Sequence, residues 1–320
     1  MSRVRAIVHL GNGNVEEIEP ARIDEHLSNP KCLLWLDIED PTDEDAALLR
    51  EEFGFHELAL EDAMRGLQRP KLDEYEDYYF MVLYSAECTQ LAIRTHEIHA
   101  FWGKSYFVTL HDDPVPEIDQ AIKRWESGKE NKEYGVAFET YALLDAVIDG
   151  YFPVVDAIAD RIEDLEDRIF DGNETLVREI FTLRKQLFDT RKVLAPSRDV
   201  LNELARRDIP IFPEALVPYL ADVYDHAIRV IETLDLHHDL LSSAVETHLS
   251  VTSNRLNQTM RTMTALTIGL MVPTLIAGIY GMNYQLSPPN DAQWGFWFAM
   301  ALMGISATAL FAVFKRIGWI

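Results

Sequence analysis

The chain has 320 residues, of which 53 are acidic and 29 basic, giving a formal charge of −24. After Arg261 only Asp291, Lys315 and Arg316 are charged, so residues 1–261 carry −25. Such an acidic stretch does not suit nucleic acid or an anionic membrane surface and suits cations instead, although a solvated surface that aids solubility explains the same charge. The length predicts two parts rather than one compact domain. The N-terminal "MSRVRAIVHLGNGN" has too short an apolar run for a signal peptide, so residues 1–261 are expected in the cytosol. Cys32 and Cys88 match no zinc or redox spacing and read as reduced core thiols.

In chain order, "RVRAIVHL", "KCLLWLDIE", "DYYFMVLYSAE", "QLAIRTHEIHAFWG" and "KSYFVTLHD" are short runs rich in β-branched and aromatic residues, which predict strands. Between the second and third, Thr42 through Phe53 opens like a helix, with acids in its first turn and Gly54 at its end. A further helix is expected from Pro114 through Trp125. From about Gly135 the chain turns helical. "AFETYALLDAVIDGYFPVVDAIADRIEDLEDRIF" and "ETLVREIFTLRKQLFDTRKVL" read as an antiparallel pair around the turn Asp171-Gly172-Asn173. Asp156, Asp160, Glu163, Asp164, Glu166 and Asp167 crowd the first of them.

Tyr219 to Ile268 is a run of 50 residues without Pro or Gly, about 75 Å as one helix and more than twice a bilayer core. Apolar residues recur near the 3.5-residue spacing of packed helices at Leu220, Val223, Ala227, Ile231, Leu234, Leu241, Val245 and Leu249, with His238 interrupting the row. Thr262–Asn290 and Trp294–Phe314 then run for 29 and 21 residues without a charged side chain, long enough to cross a bilayer. Arg255 and Arg261 precede the first span, Lys315 and Arg316 follow the second, and the link between has no basic residue. Both termini are therefore expected on the cytoplasmic side of the plasma (inner) membrane. The expected class is α+β: a cytosolic α/β domain (1–130), an antiparallel helical pair (131–217), a stalk helix (218–261) and a two-span membrane domain (262–320) with a short outer loop at 281–293.

One face of the first span is unusual. Alternating steps of three and four from Asn257 meet Met260, Thr264, Thr267, Met271, Thr274, Gly278 and Gly281, with no Leu, Ile, Val or Phe on the row. Two readings are open. Small residues and Thr favour close helix packing in lipid. Alternatively, several copies of the row surround a pathway, with Thr oxygens wetting it and Met side chains narrowing it. Two spans cannot enclose a pore, so the second reading requires an oligomer.

These residues carry a resemblance. "PTLIAGIYGMN", a short loop, a second span and a terminal "KRIGWI" resemble the CorA family of divalent-cation channels, for which Gly-Met-Asn (here Gly281, Met282 and Asn283) is the hallmark. "LALEDAMRGLQRPKLDEYEDYYF" (58–80) and "VPYLADVYDHAIRVIETL" (217–234) are similar to family segments at the expected distances, so the likeness covers nearly the whole chain. The resemblance implies a homopentamer in the lipid bilayer that passes magnesium, or cobalt, down the membrane potential. Asn283 would then ring the outer mouth, Thr274 and Met271 would line the pore below it, and Met263, Met260 and Asn257 would form the constriction and its inner end. It also implies regulatory divalent ions bound between subunits by Asp62 and Asp222, with Glu61 and Asp145 nearby. The family's outer loop usually continues "MPEL"; here Ser287-Pro288-Pro289-Asn290 stands in its place and only Asp291 restores a negative charge.

An alternative within transport is a zinc carrier of the ZntB type, whose relatives usually replace the Met of the tripeptide; Met282 argues against it. A metal-dependent enzyme is the other class, suggested only by "HEIH" (96–99) and "HDD" (111–113). On a strand His96 points away from both Glu97 and His99, and the second run reads as a strand-end turn. No Gly-rich nucleotide loop occurs, and the expectation is a transporter rather than an enzyme.

Overall fold

The computed structural model describes residues 2–10, 15–29, 32–89, 92–126, 134–169, 175–206, 209, 212–282 and 293–319. They divide into two compact units. The first takes residues 1–167 and 174–243, and the second takes residues 168–173 and 244–320.

The first unit is built on a seven-stranded sheet. Its strands are β1 (Arg3–His9), β2 (Val15–Ile18), β3 (Leu33–Glu39), β4 (Lys71–Glu74), β5 (Tyr79–Cys88), β6 (Ile93–Trp102) and β7 (Tyr106–His111), in the order β2-β1-β3-β7-β6-β5-β4. Among the described strands only the β3–β7 pair is parallel, with Leu36 opposite Val108; the remaining pairs are antiparallel. Helices α1 (Ile23–Leu27), α2 (Asp43–Phe53) and α3 (Glu57–Arg65) cover one face, where Leu49, Phe55, Ala59 and Leu60 join Leu34, Leu36, Phe80, Val82 and Val108 in one core. On the other face Trp35 meets Trp125 of α4 (Pro116–Glu126), ring centroids 5.9 Å apart. With both faces covered, Tyr79 to Ala86 is buried throughout, which is why that strand reads as a continuous apolar run.

Local chemistry sets the helix ends. Thr42 caps α2 in a reciprocal box with Asp45, and Gly54 leaves it at φ 69°, where a side chain is disfavoured. The expected helix from Pro114 begins two residues later, at Pro116. The stretch expected as one helix over 137–170 is two: α5 (Val136–Asp149) and α6 (Tyr151–Arg168), with Gly150 between. Gly150 closes α5, and Pro153, which has no N–H to donate to Asp149, falls in the first turn of α6, where none is needed. The expected turn at Asp171-Gly172-Asn173 lies outside the described residues. Cys32 is buried as expected, whereas Cys88 is only partly covered, because it ends β5.

Helix α7 (Thr175–Arg206) buries Leu176, Ile180, Leu183, Leu187 and Leu194, and α6 buries Val154, Ile158, Ile162 and Leu165. Facing them, α8 (Val217–Tyr280) buries Leu220, Val223, Ala227, Ile231, Leu234 and Leu241. The row expected to continue through Val245 and Leu249 shifts to Ala244 and His248, and Leu249 is exposed. The buried positions Leu220, Val223, Ala227, Val230, Leu234, His237, Leu241, Ala244 and His248 alternate steps of three and four, the spacing of a packed helical seam, whereas the expected row took two steps of four after Leu241 and so left that seam. His238 does not interrupt the buried row; His237 occupies it, and burial lowers its pKa and keeps it neutral. His238 lies at the edge and accepts from Arg184 Nε at 3.0 Å.

Helix α8 has 64 residues, about 96 Å at 1.5 Å per residue, and it continues through Gly269 and Pro273. The second unit holds its last part and α9 (Gln293–Ile317). Both helices contain windows long and apolar enough to cross a membrane, with mean hydropathies of 1.7 and 1.9, and only 6% of each window is buried. A nearly bare apolar surface of this size suits lipid or other copies of the chain.

Candidate ion pathway

Within the second unit α8 presents a covered row and an open one. Ala265 is 2% exposed, and Ile268, Gly269, Val272, Pro273 and Ile276 are half-buried at helical spacing. Asn257, Met260, Met263, Thr264, Thr267, Met271, Thr274, Gly278 and Gly281 are all exposed. Leu266, Leu270 and Leu275 are exposed as well, on the flank of that face. Thr267, Met271, Thr274, Gly278 and Met282 lie along one shallow trough with Leu270, Leu275 and Ile279.

The threonines of the open face share one hydrogen-bonding habit. Thr264 Oγ1 donates to the Met260 carbonyl at 2.8 Å, Thr267 to Met263 at 2.8 Å, and Thr274 to Leu270 at 2.7 Å. Each hydroxyl spends its only proton on its own helix, so its oxygen meets the outside as an acceptor. Acceptors suit a cation that arrives wrapped in water, because the water protons point outward. The methionines add polarizable, weakly accepting sulfur without charge.

The tripeptide stands where α8 ends. Gly281 N–H donates to Ala277 at 2.9 Å, and Met282 N–H to Ile279 at 3.3 Å. A Cβ on residue 281 would come within 3.1 Å of the Ala277 carbonyl oxygen, so glycine allows the last turn to tighten. Asn283 and the rest of the expected outer loop, through residue 292, lie outside the described residues.

The four regulatory candidates occupy three elements of the first unit. Glu61 and Asp62 are on α3, where Glu61 pairs with Arg65 and Asp62 accepts from Lys71 Nζ at 2.8 Å. Lys71 also reaches Asp73 at 2.6 Å; burial works to lower its pKa, but the two carboxylates outweigh burial and raise it. Asp145 on α5 meets Arg124 at 2.9 Å, and its pKa is raised because burial outweighs that partner. The guanidinium of Arg124 lies 5.6 and 5.5 Å from the rings of Phe138 and Tyr141. Asp222 on α8 is 68% exposed, 3.9 Å from His226, whose other nitrogen is 3.0 Å from Asp149. The i,i+4 spacing of Asp222 and His226 was visible in the sequence; Lys71, Arg124 and Asp149 enter through tertiary contacts.

Among the described residues no group of three His, Cys, Asp or Glu side chains is arranged to hold a metal. "HEIH" lies on β6 and "HDD" starts at His111, the last residue of β7; His96 Nδ1 and Asp113 Oδ2 come within 3.1 Å. The two runs tie neighbouring strands together. Any ion held by Asp62 or Asp222 needs further ligands from water or from another copy.

A mixed α/β domain, a helix of this length and two bare apolar helices, one with a row of outward acceptors, suit a membrane transporter for ions. Residues 31–316 match the family described as CorA-like Mg2+ transporter protein, and the chain belongs to it. The putative metal ion transporter YfjQ of Bacillus subtilis is 32% identical over 286 residues, 89% of each protein. The cobalt/magnesium transport protein CorA of Thermotoga maritima is 31% identical over 276 residues, 84% of this chain and 78% of that one. The complete structure of the CorA magnesium transporter from Methanocaldococcus jannaschii superposes with a TM-score of 0.87 at 27% identity, covering 98% of both chains.

Proposed function

We propose that five copies of the chain enclose a pore for hydrated magnesium, with cobalt as a second cargo, in the plasma membrane with both termini in the cytosol. In this reading residues 1–130 and the helical pair 131–217 form the sensing body, 218–261 the stalk and 262–320 the pore domain. The observation that carries it is the open face of α8, where back-bonded Thr264, Thr267 and Thr274 alternate with Met260 and Met271.

Magnesium holds its waters tightly and dehydrates reluctantly. A ring of Asn283 amide oxygens would accept hydrogen bonds from those waters without stripping them, and the Thr oxygens would do so again below. Neutral acceptors hold the ion weakly at several levels, which conduction requires. A divalent ion gains roughly 4.6 kcal/mol on moving inward through 100 mV, so no nucleotide is needed.

Shut-off would come from divalent ions shared between subunits by Asp62 and Asp222, with Glu61 and Asp145 adjoining. Residues 1–261 of each chain bring a charge of −25, and bound cations would screen that repulsion. Their loss as cytosolic magnesium falls would loosen the ring and widen the constriction at Met260 and Met263.

Flux into proteoliposomes under an inside-negative potential tests this reading. Magnesium and cobalt should enter without ATP, and raising internal magnesium should slow entry. Uptake of zinc alone, or uptake that follows a proton gradient rather than the potential, would replace the reading with a zinc carrier on the same fold.

A further inference from the structure

Leu67 is the anomaly of the first unit. It is 95% exposed, and its φ of 60° lies in the left-handed region that a Cβ disfavours. The other described non-glycine residue at positive φ is Asp40, a residue type that tolerates that region. The position of Leu67 is enforced. Glu97, with a side chain only 13% exposed, accepts from Leu67 N–H at 2.5 Å and from Gln68 N–H at 2.9 Å. Tyr84 Oη donates to the Gln68 carbonyl at 2.6 Å. Gly66, at φ 62°, supplies the preceding bend. A largely buried carboxylate and a tyrosine thus hold a strained loop whose product is an apolar side chain in water. Backbone strain that the surroundings enforce clusters at functional positions such as clamps and switch regions, so the loop calls for a functional reading.

The charges beside Leu67 leave one opening: Glu97 is taken up by the loop N–H groups, Glu61 by Arg65 and Asp62 by Lys71, so Arg69 is the charge that a partner can meet. Residues 63–71 carry Arg65, Arg69 and Lys71 and no acid, in a chain of charge −24. Arg65 and Lys71 have carboxylate partners, whereas exposed Arg69 has no hydrogen bond or ion pair among the described residues. The start of α8 has the complementary surface. Val217 and Tyr219 are exposed apolar residues, and residues 214–228 carry Glu214, Asp222 and Asp225 with no Lys or Arg.

We infer that the 66–69 loop is a metal-independent docking pin for a second copy of this chain, seating Leu67 against Val217 and Tyr219 and turning Arg69 to Asp225 of the neighbour. The inference rests on the ring proposed above, in which Asp62 of one copy faces Asp222 of the next. It adds a contact that survives when the regulatory ions leave, so that the ring loosens without falling apart.

The full chain in detergent, with Cys88→Ser to remove the accessible thiol, tests the contact through the pair Leu67→Cys and Tyr219→Cys. Mild oxidation should give a ladder of cross-linked copies in chelator and in magnesium alike, and neither single variant should give it. An assembly of oligomeric mass that forms no ladder would overturn the pin and leave the ring standing; a monomeric mass would overturn both. Leu67→Gly adds a second readout, because glycine relieves the backbone while removing the apolar group. It should raise the melting temperature of the dissociated chain yet make dissociation on the order of tenfold easier. Parallel movement of both quantities, or no change in either, would mean that the loop serves only its own domain.

Discussion

Lys71 Nζ lies 2.8 Å from Asp62 Oδ2 and 2.6 Å from Asp73 Oδ2, so a proposed regulatory carboxylate already holds a resident cation. Lys71 keeps its charge there, because its two carboxylates outweigh the burial that opposes it. A divalent ion arriving at Asp62 competes with the ammonium or shares the carboxylate with it. Replacing Lys71→Met should therefore leave conduction intact and shift shut-off to lower internal magnesium, by roughly tenfold for one freed charge-assisted bond. Asp62→Asn with Asp222→Asn should move it the opposite way. Flux inhibition curves at graded internal magnesium measure both, and curves that coincide with wild type would place the sensor elsewhere.

Asn283→Ala removes the amide proposed to receive hydrated ions at the outer mouth. Uptake in a transport-deficient host should fall below roughly a tenth of wild type, the scale of losing more than one hydrogen bond per ion. Assembly mass should not change. Normal uptake at normal expression would count heavily against the pore assignment.

Thr274 offers a sharper comparison, because Thr308 is its control. Both hydroxyls are exposed and both donate back one turn at 2.7 Å, to Leu270 and to Gly304 respectively. Their local chemistry is the same, and they differ in the helix that carries them. If α8 lines the pathway and α9 meets lipid, Thr274→Val should cut flux on the order of tenfold, while Thr308→Val should leave it unchanged. Equal effects would show that back-bonded hydroxyls matter only to helix stability.

Much of this architecture was legible because local chemistry and the final packing agree. Thr42, Asp45 and Gly54 announce α2 within a dozen residues, and the β-branched and aromatic runs became β1, β3, β5, β6 and β7. Where an element's only support is its neighbour, the sequence is silent. Edge strands β2 and β4 read Val-Glu-Glu-Ile and Lys-Leu-Asp-Glu, too short and polar to declare themselves. The open row on α8 was visible as spacing, since Thr and Met recur every three or four residues. Its hydroxyl geometry was not, because Thr can bond its own helix or a partner. The partners of the acidic candidates were hidden for another reason. Asp62 with Lys71, Asp145 with Arg124 and His226 with Asp149 pair across elements that only the fold brings together.

Glu139 gives the domain a pH dependence that can be read without transport. It is buried on α5, and burial, against opposing hydrogen bonds from its own backbone and from Trp125, pushes its carboxyl up from 4.5 to about 8. Below pH 4.5 the folded and unfolded chains both carry the proton, and Glu139 contributes no slope. Between 4.5 and 8 the unfolded chain releases it while the folded chain keeps it, so folding loses stability as pH rises. Above about 8 both forms are ionised and the loss is constant, on the order of 5 kcal/mol at about 1.36 kcal/mol per unit. Glu139→Gln keeps the shape and removes the titration. The melting temperature of the variant should therefore gain on wild type steadily from about pH 5 to about pH 8, with little difference between them near pH 4. Subtracting the two curves cancels groups that titrate in both proteins, such as His99, which burial lowers to about 4. A difference that stays flat across this range would mean that Glu139 ionises in the folded domain much as it does in water.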